Sequence, residues 1–526
     1  MLPAIAGRAA GSAAHLDGPV PGLLLAAGGA AAAACAAALW QPKAWAAALV
    51  SALFLAGAAE SGPGPPAPGR LTSRSVRLTL RIDRVAPPKS ARRASGIATL
   101  VPPGVPGCAA GERIYFTFLL RRGQAPPLRS AVVAASGVLR AVPRQAAADS
   151  FAGYLAGLGL SCQLFPAWIQ REVKPPKAYP RFCERLAARM DGLLRRGLEA
   201  RPDLAAVYRA MMLGRKGDLG AAQKQLFLRS GTMHLFAING LHIGIVALSL
   251  HALLALARCP RRLSSAAVLA VLWLDVDSTG ATPSAVRAWI MVAALECAGA
   301  LDLPANPLAA LAFAAGADLC VRPADFLGAS FQMSYGVMAA LLALGLPLAE
   351  FLQARFAAYR FLPAESRTPL QRLRAAAQHH LCGSLGVGVA AALASLVSGV
   401  QFFSLIAPCG LAANLLLMPP ATLVIVAGFG SVLAGLAGLG PLSVIFNRAA
   451  GLLLRVIAAL LRLGAAAPGA YFPAHYRAAW IGPAAQLALL AACLAGYAGG
   501  WRRERGGWWP PFAVVAAVLL AGVRYR

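Results

Sequence analysis

Hydrophobic and polar positions change their period several times along this chain. Two almost unbroken apolar runs, about Val20 to Leu39 and Ala44 to Ala59, are parted only by WQPK and predict a transmembrane hairpin over 1–60. A cleaved signal peptide fits less well, because the apolar run begins late and a second follows at once. A Pro/Gly linker, ESGPGPPAPGR, ends this part. From Arg70 the period becomes two: Val76, Leu78, Leu80 and Ile82 alternate with Arg77, Thr79 and Arg81, and Ile114, Phe116 and Phe118 alternate again. That pattern predicts a small β domain over 70–170, a barrel of the OB type. Such a barrel reads either as a holder of single-stranded nucleic acid or as a spacer with no ligand. Tyr115, Phe116 and Phe118 form its one aromatic cluster in sequence.

A helical period follows over 180–230. Leu186, Met190, Leu193 and Leu194 share one face, and Arg185, Arg189, Arg195 and Arg196 occupy the rest, which predicts an amphipathic helix on the membrane surface, its arginines near headgroups or DNA phosphates. From 231 to 500 apolar runs dominate, near 233–257, 264–277, 284–300, 305–321, 328–349, 381–400, 405–429, 432–446 and 478–498, with a last one near 509–523 inside the segment 501–526 that opens on the basic WRRER. The predicted fold is a polytopic α-helical membrane protein with a small amino-terminal β (OB-like) extramembrane domain. Basic loops at 258–262 and 351–380 fall on one side, read as cytoplasmic, and put the β domain outside. Arg448, Arg455 and Arg462 recur every seven residues on an apolar helix, which predicts that this helix lies flat in the interface and returns WRRER to the cytoplasm.

Composition agrees with a membrane protein, since 58% of the 526 residues are hydrophobic and only 13% charged. The formal charge of +29 suits a polyanion or anionic lipid, although the abundance of Ala, Gly, Pro and Arg is also what a GC-rich genome supplies. The ten cysteines form no CxxC pair and no zinc-spaced cluster, and no metal or cofactor is expected. Cys162 and Cys183 flank a polar stretch of the external part and could form a disulfide, which would leave Cys108 over. None of the lysines is preceded by glycine, so no Walker A sequence binds ATP, and no HExxH is present.

The candidate chemistry lies in polar residues inside apolar runs. His234, Asn239, Gly240 and His242 sit in SGTMHLFAINGLHIGIVALSL; they either bond neighbouring helices or line a wet path. Arg287 in ATPSAVRAWIM, Gln332 and Ser334 in ASFQMSYG, and Asn414 in LAANLLLMPP pose the same choice. Glu296 and Asp318 would repel a polyanion, and are expected to pair with an arginine or sit near an interface.

These segments carry a resemblance. SGTMHLFAINGLHIG is similar to the signature that opens the channel domain of the ComEC-type competence proteins, the DNA-internalisation channels of bacteria. STGATPSAVRAWIM, ASFQMSYGVMAAL and SLIAPCGLAANLLLMPPATLVI resemble three further elements of that family in the same order, over residues 230–425 in all. Asn239 stands where the family has serine, and the HxHxDH motif of its metallo-β-lactamase-like domain is absent.

The resemblance implies a non-enzymatic channel in the bacterial inner (cytoplasmic) membrane that brings single-stranded DNA inward. Its path would be lined by His234, Asn239, Gly240, His242, Arg287, Gln332, Ser334 and Asn414, with Arg77 and Arg81 of the β domain holding phosphates. Implied partners are single-stranded DNA, membrane lipids, a cytoplasmic helicase or translocase, a DNA receptor of the uptake apparatus and a separate nuclease. A transporter of small anionic solutes or lipid-linked intermediates, and an envelope scaffold, are the competing readings.

Overall fold

The computed structural model describes residues 74–526 apart from 87–91, 106–107, 144–150, 158–159, 237, 304–305, 322–327, 360–361, 363, 467–470, 502–506 and 526. The hairpin expected over 1–60 and nearly all of WRRER lie outside the described residues.

Strands β1 (Arg74–Val85), β2 (Arg93–Leu100), β3 (Arg113–Leu119), β4 (Val132–Ala141) and β5 (Cys162–Lys174) close into a barrel in the order β1-β2-β3-β5-β4. The period of two decides which side each residue takes. Leu78, Leu80 and Ile82 of β1, Ile114, Phe116 and Phe118 of β3, Leu139 and Leu164 are buried inside, whereas Arg77 and Arg81 stand outside. Each large side chain so buried contributes roughly 1.5–3 kcal/mol. Phe116 and Phe118 stack on each other at 4.5 Å within that core, so they offer no platform to a ligand. Helix α1 (Phe151–Gly157) covers the outer side of β2 and β3, where Leu155 joins Ile97 in a small cluster with Tyr115, and Phe151 meets Tyr115 edge-on at 5.3 Å.

The cysteine expectation is corrected here. Cys162 is bonded to Cys108, and Cys183 is a free, buried thiol. The reason is strand polarity: Cys162 opens β5 and turns into the barrel, at the end where the β2–β3 connection bearing Cys108 crosses. Cys183 instead belongs to helix α2 (Ala178–Arg195), with its sulfur 3.6 Å from the Asp277 carboxylate.

After α2 come α3 (Pro202–Leu213), α4 (Ala221–Arg229), α5 (Gly240–Leu256), α6 (Arg261–Ser278), α7 (Pro283–Ala300) and α8 (Pro307–Val321). Next are α9 (Ala329–Arg355), α10 (Pro369–Phe403), α11 (Gly410–Leu436), α12 (Gly440–Ala466), α13 (Ile481–Ala498) and α14 (Trp509–Gly522). Among the described residues five helices are long and apolar enough to cross a membrane: α9, α10, α11, α12 and α13. Helices α5, α8 and α14 are apolar but shorter. Large apolar side chains stay exposed on their outer faces, Leu248, Leu256, Leu416, Ile445, Leu452 and Leu520 among them, as a lipid-facing surface requires. This is a multi-pass membrane protein.

Two helices run otherwise than the sequence predicts. The helix bearing Arg448, Arg455 and Arg462 is α12, the return limb of a hairpin with α11, closed by a turn at Gly438 in the left-handed region (φ +83°). The apparent runs at 405–429 and 432–446 are one helix and half of the next, so the boundary lies later than the apolar pattern predicts. Ala450, Leu454, Ile457 and Leu461 bury one face of α12, and the three arginines occupy the exposed face. Helix α2 also does not lie across the end of the bundle. Its apolar stripe, Cys183, Ala187, Met190, Leu193 and Leu194, is taken up lengthwise by α3, α6 and α11. Its last turn is held by the buried Asn447 of α12, which donates to the carbonyls of Leu193 and Arg196 at 2.8 and 2.9 Å and accepts from the Tyr208 hydroxyl at 3.2 Å.

Candidate functional site

The four polar segments, far apart in sequence, come together at one end of the bundle. Helix α5 starts at Gly240, and its first N–H groups need acceptors. Asn239 supplies one: its Oδ1 accepts from the Leu241 N–H at 3.0 Å and the His242 N–H at 3.4 Å, while its Nδ2 donates to the His234 carbonyl at 2.7 Å. The carboxamide thus caps the helix and ties the incoming chain with one side chain. The His242 ring lies with Nδ1 3.1 Å from the same Oδ1. An oxygen that only accepts sets the proton on Nδ1 and leaves Nε2 an acceptor. That Nε2 is buried with no partner among the described protein groups, in a side chain 4% exposed.

Neighbouring segments close around this turn. The Ser284 hydroxyl of α7 donates to the Ile238 carbonyl at 2.9 Å. Gly240 faces Ala288 of α7 and Met338 of α9, and Gly231, in the left-handed region at φ +68°, abuts Ala407 and Gly410 at the start of α11. Ser230 and Thr232, both buried, share a hydrogen bond of 2.7 Å below it.

Arg287 takes a different place from the one its charge suggests. Only 2% exposed, it donates to the Ser330 carbonyl and hydroxyl at 2.8 Å each, lies 3.6 Å from the Asp318 carboxylate and stands over the Tyr335 ring at 5.6 Å. The guanidinium therefore fastens α7 to α8 and α9. Asp318 meets an arginine as expected, whereas Glu296 pairs with His251 at 2.7 Å and accepts from Ser265 at 2.6 Å. Gln332 of α9 is reached by Gln401 of α10 at 3.5 Å, Ser334 is half-buried on the same helix, and Asn414 of α11 has a buried Oδ1 with no partner among the described groups. Ser284, Ser330 and Asn447 escape sequence reasoning: a lone serine or asparagine in an apolar run gives no signal until its partner helix is known.

The barrel is fastened at this same end. Arg129, between β3 and β4, makes two 2.6 Å hydrogen bonds to Asp277 at the end of α6, and that carboxylate raises the Arg129 pKa above its ordinary range. Arg84 of β1 donates to the Ala281 carbonyl at 3.3 Å, three residues before Ser284. The basic turn at 258–262 stands at the other end of α6, roughly 27 Å away for an 18-residue helix. Helices α9 and α10 likewise meet at the basic segment 355–368, away from Ser330 and from Ala407.

Among the described residues one group could hold a metal, Cys108, Glu112 and Cys162. With the two sulfurs bonded to each other only the Glu112 carboxylate is left, and it accepts from Ser161.

A family model described as Competence protein matches residues 211–500. ComE operon protein 3 of Bacillus subtilis (strain 168) is 27% identical over 141 residues, which is 27% of this chain and 18% of that protein. No solved structure matches. The family match runs through more than half of the chain and takes in all four converging segments, and on that ground this protein belongs to the Competence protein family.

Proposed function

We propose that this protein is a channel, not an enzyme, that admits single-stranded DNA across the bacterial inner membrane during natural transformation. The observation that carries the reading is the convergence of the four segments around the Asn239-capped start of α5, at the bundle end where the barrel is fastened. A helix amino end carries a partial positive charge and suits phosphate. Here it adjoins the His242 Nε2 and the Asn414 Oδ1, both without a partner among the described groups, polar atoms that a wet path satisfies and a dry core does not. Arg287 acts in this reading as a positioning residue, and the strand passes His234, Asn239, Gly240, His242, Gln332, Ser334 and Asn414. Energy comes from a cytoplasmic helicase or translocase; a DNA receptor delivers the strand, and a separate nuclease removes its complement.

The test is entry of labelled DNA into the cytosol of a strain lacking this protein, compared with surface binding. Loss of entry with surface binding kept is the expected result. Normal entry would move the reading to a transporter of small anionic solutes.

A further inference from the structure

The outer side of the barrel is not uniform. Over β2 and β3 it is covered by α1, but over β1, β4 and β5 no described element lies on it. The register of that open side sets side chains in rows. Arg77 of β1 pairs with Ser136 of β4, which pairs with Trp168 of β5. The next outward row is Thr79, Ala134 and Arg171, and the next is Arg81, Val132 and Lys174. The middle strand thus presents only Ser136, Ala134 and Val132, with long cationic side chains on both flanks and Trp168 on the β5 flank. Flanking strands two spacings apart stand roughly 10 Å from each other, room for one nucleotide strand and too little for a duplex.

We propose that this face is a binding groove for single-stranded DNA, with Trp168 as the base-stacking residue and Arg77, Arg81, Arg171 and Lys174 as phosphate contacts. The proposal rests on the DNA reading above and gives it a location. Trp168 is 40% exposed, whereas the aromatics the sequence suggested are buried in the barrel or held under α1. Charge complementarity names the occupant. Two carboxylates lie near the groove against its four cations: Glu172, exposed between Arg171 and Lys174, and Asp83, which is engaged by Arg81 at 3.4 Å and by Thr99. Gln170 holds the Ser136 hydroxyl at 2.6 Å across the floor. A lipid headgroup is the poorer occupant. Between the Trp168 and Lys174 rows the neighbouring β4 advances four residues, roughly 13 Å, toward the bundle, so the aromatic end is the one farther from the membrane-spanning helices. The groove leads from there to Arg81 and Lys174, beside the hydrogen bond from the Lys177 N–H to Ser130 where the barrel meets the helices.

The experiment uses the full chain in zwitterionic nanodiscs and a fluorescent oligothymidylate, with affinity read by anisotropy over a salt series. Trp168→Ala should weaken binding roughly tenfold without changing the salt slope, and Trp168→Phe should retain most of the affinity. Arg77→Glu with Arg171→Glu should flatten the log-log slope by about 0.7 for each phosphate that is no longer neutralised. Arg93→Glu with Arg113→Glu changes the net charge equally on the β2–β3 side and should leave the slope as it was. Equal losses of affinity from the two pairs, or undiminished binding by Trp168→Ala, overturn the groove. The uptake assay keeps the two readings apart: a groove that fails while entry still requires the protein removes this inference alone. Groove-dependent binding with normal entry in the deletion strain removes the channel alone.

Discussion

The barrel and the helical bundle use arginine in opposite ways. On β1, Arg77 and Arg81 stand at alternate outward positions over a closed apolar core and stay exposed. In the bundle Arg287 is 2% exposed and bound by Asp318, Ser330 and the face of Tyr335. Water reaches the first kind, Arg81 even beside Asp83, so its charge is available to a ligand. The second kind has no water to fall back on, and its charge persists only because fixed partners surround it. Sign and number of charges therefore say little about where a polyanion binds; the solvent each charge keeps says more.

Four sets of substitutions would break or sharpen that contrast. The largest effect is expected from Arg287→Leu, which removes the guanidinium that joins Asp318 to Ser330 and should cost roughly 3–5 kcal/mol, seen as loss of monodisperse protein in detergent and a lowered melting temperature. Arg287→Lys should recover only part, because an ammonium cannot reproduce the guanidinium's fork. Wild-type melting of Arg287→Leu together with blocked DNA entry would put this residue in the path and end the contrast. Next is Cys162→Ser, expected to cost about 2–4 kcal/mol and to act on the barrel, while Cys183→Ser leaves barrel stability unchanged. Thermal melts with and without reductant check this, and reductant-sensitivity that survives Cys162→Ser would disprove the Cys108 pairing.

Smaller in stability but larger in function is Asn239→Leu. Removing the cap should cost about 1 kcal/mol and abolish cytosolic DNA entry with expression intact, and His242→Ala should do the same to entry. Transformation at normal frequency by both variants would remove the convergent site from the path. The smallest structural effect belongs to Arg77→Glu with Arg81→Glu. No change in melting is expected there, only weaker strand binding, and a large loss of folded protein would show that the barrel's arginines are structural after all.

Sequence by itself determined the class of each region. The period of two in β1 and β3 announced which residues fill the barrel, because a strand in a closed barrel has one side in a core and one outside. The apolar runs announced the helices, and the order of four polar segments announced the family. What sequence could not reach was anything set by a partner distant along the chain. Cys162 found Cys108 because strand polarity brought their ends together. The run from 405 to 446 concealed a helix boundary, since an apolar residue looks the same in one helix or the next, and only the hairpin of α11 with α12 located the turn at Gly438. The roles of Arg287 and Trp168 were hidden for the same reason. A side chain's chemistry is fixed by its type, but its solvation, and with it its availability to a ligand, is fixed by the elements that pack around it. Asp318, 31 residues on, closes Arg287 in, and the absence of any described cover over β1, β4 and β5 leaves Trp168 open.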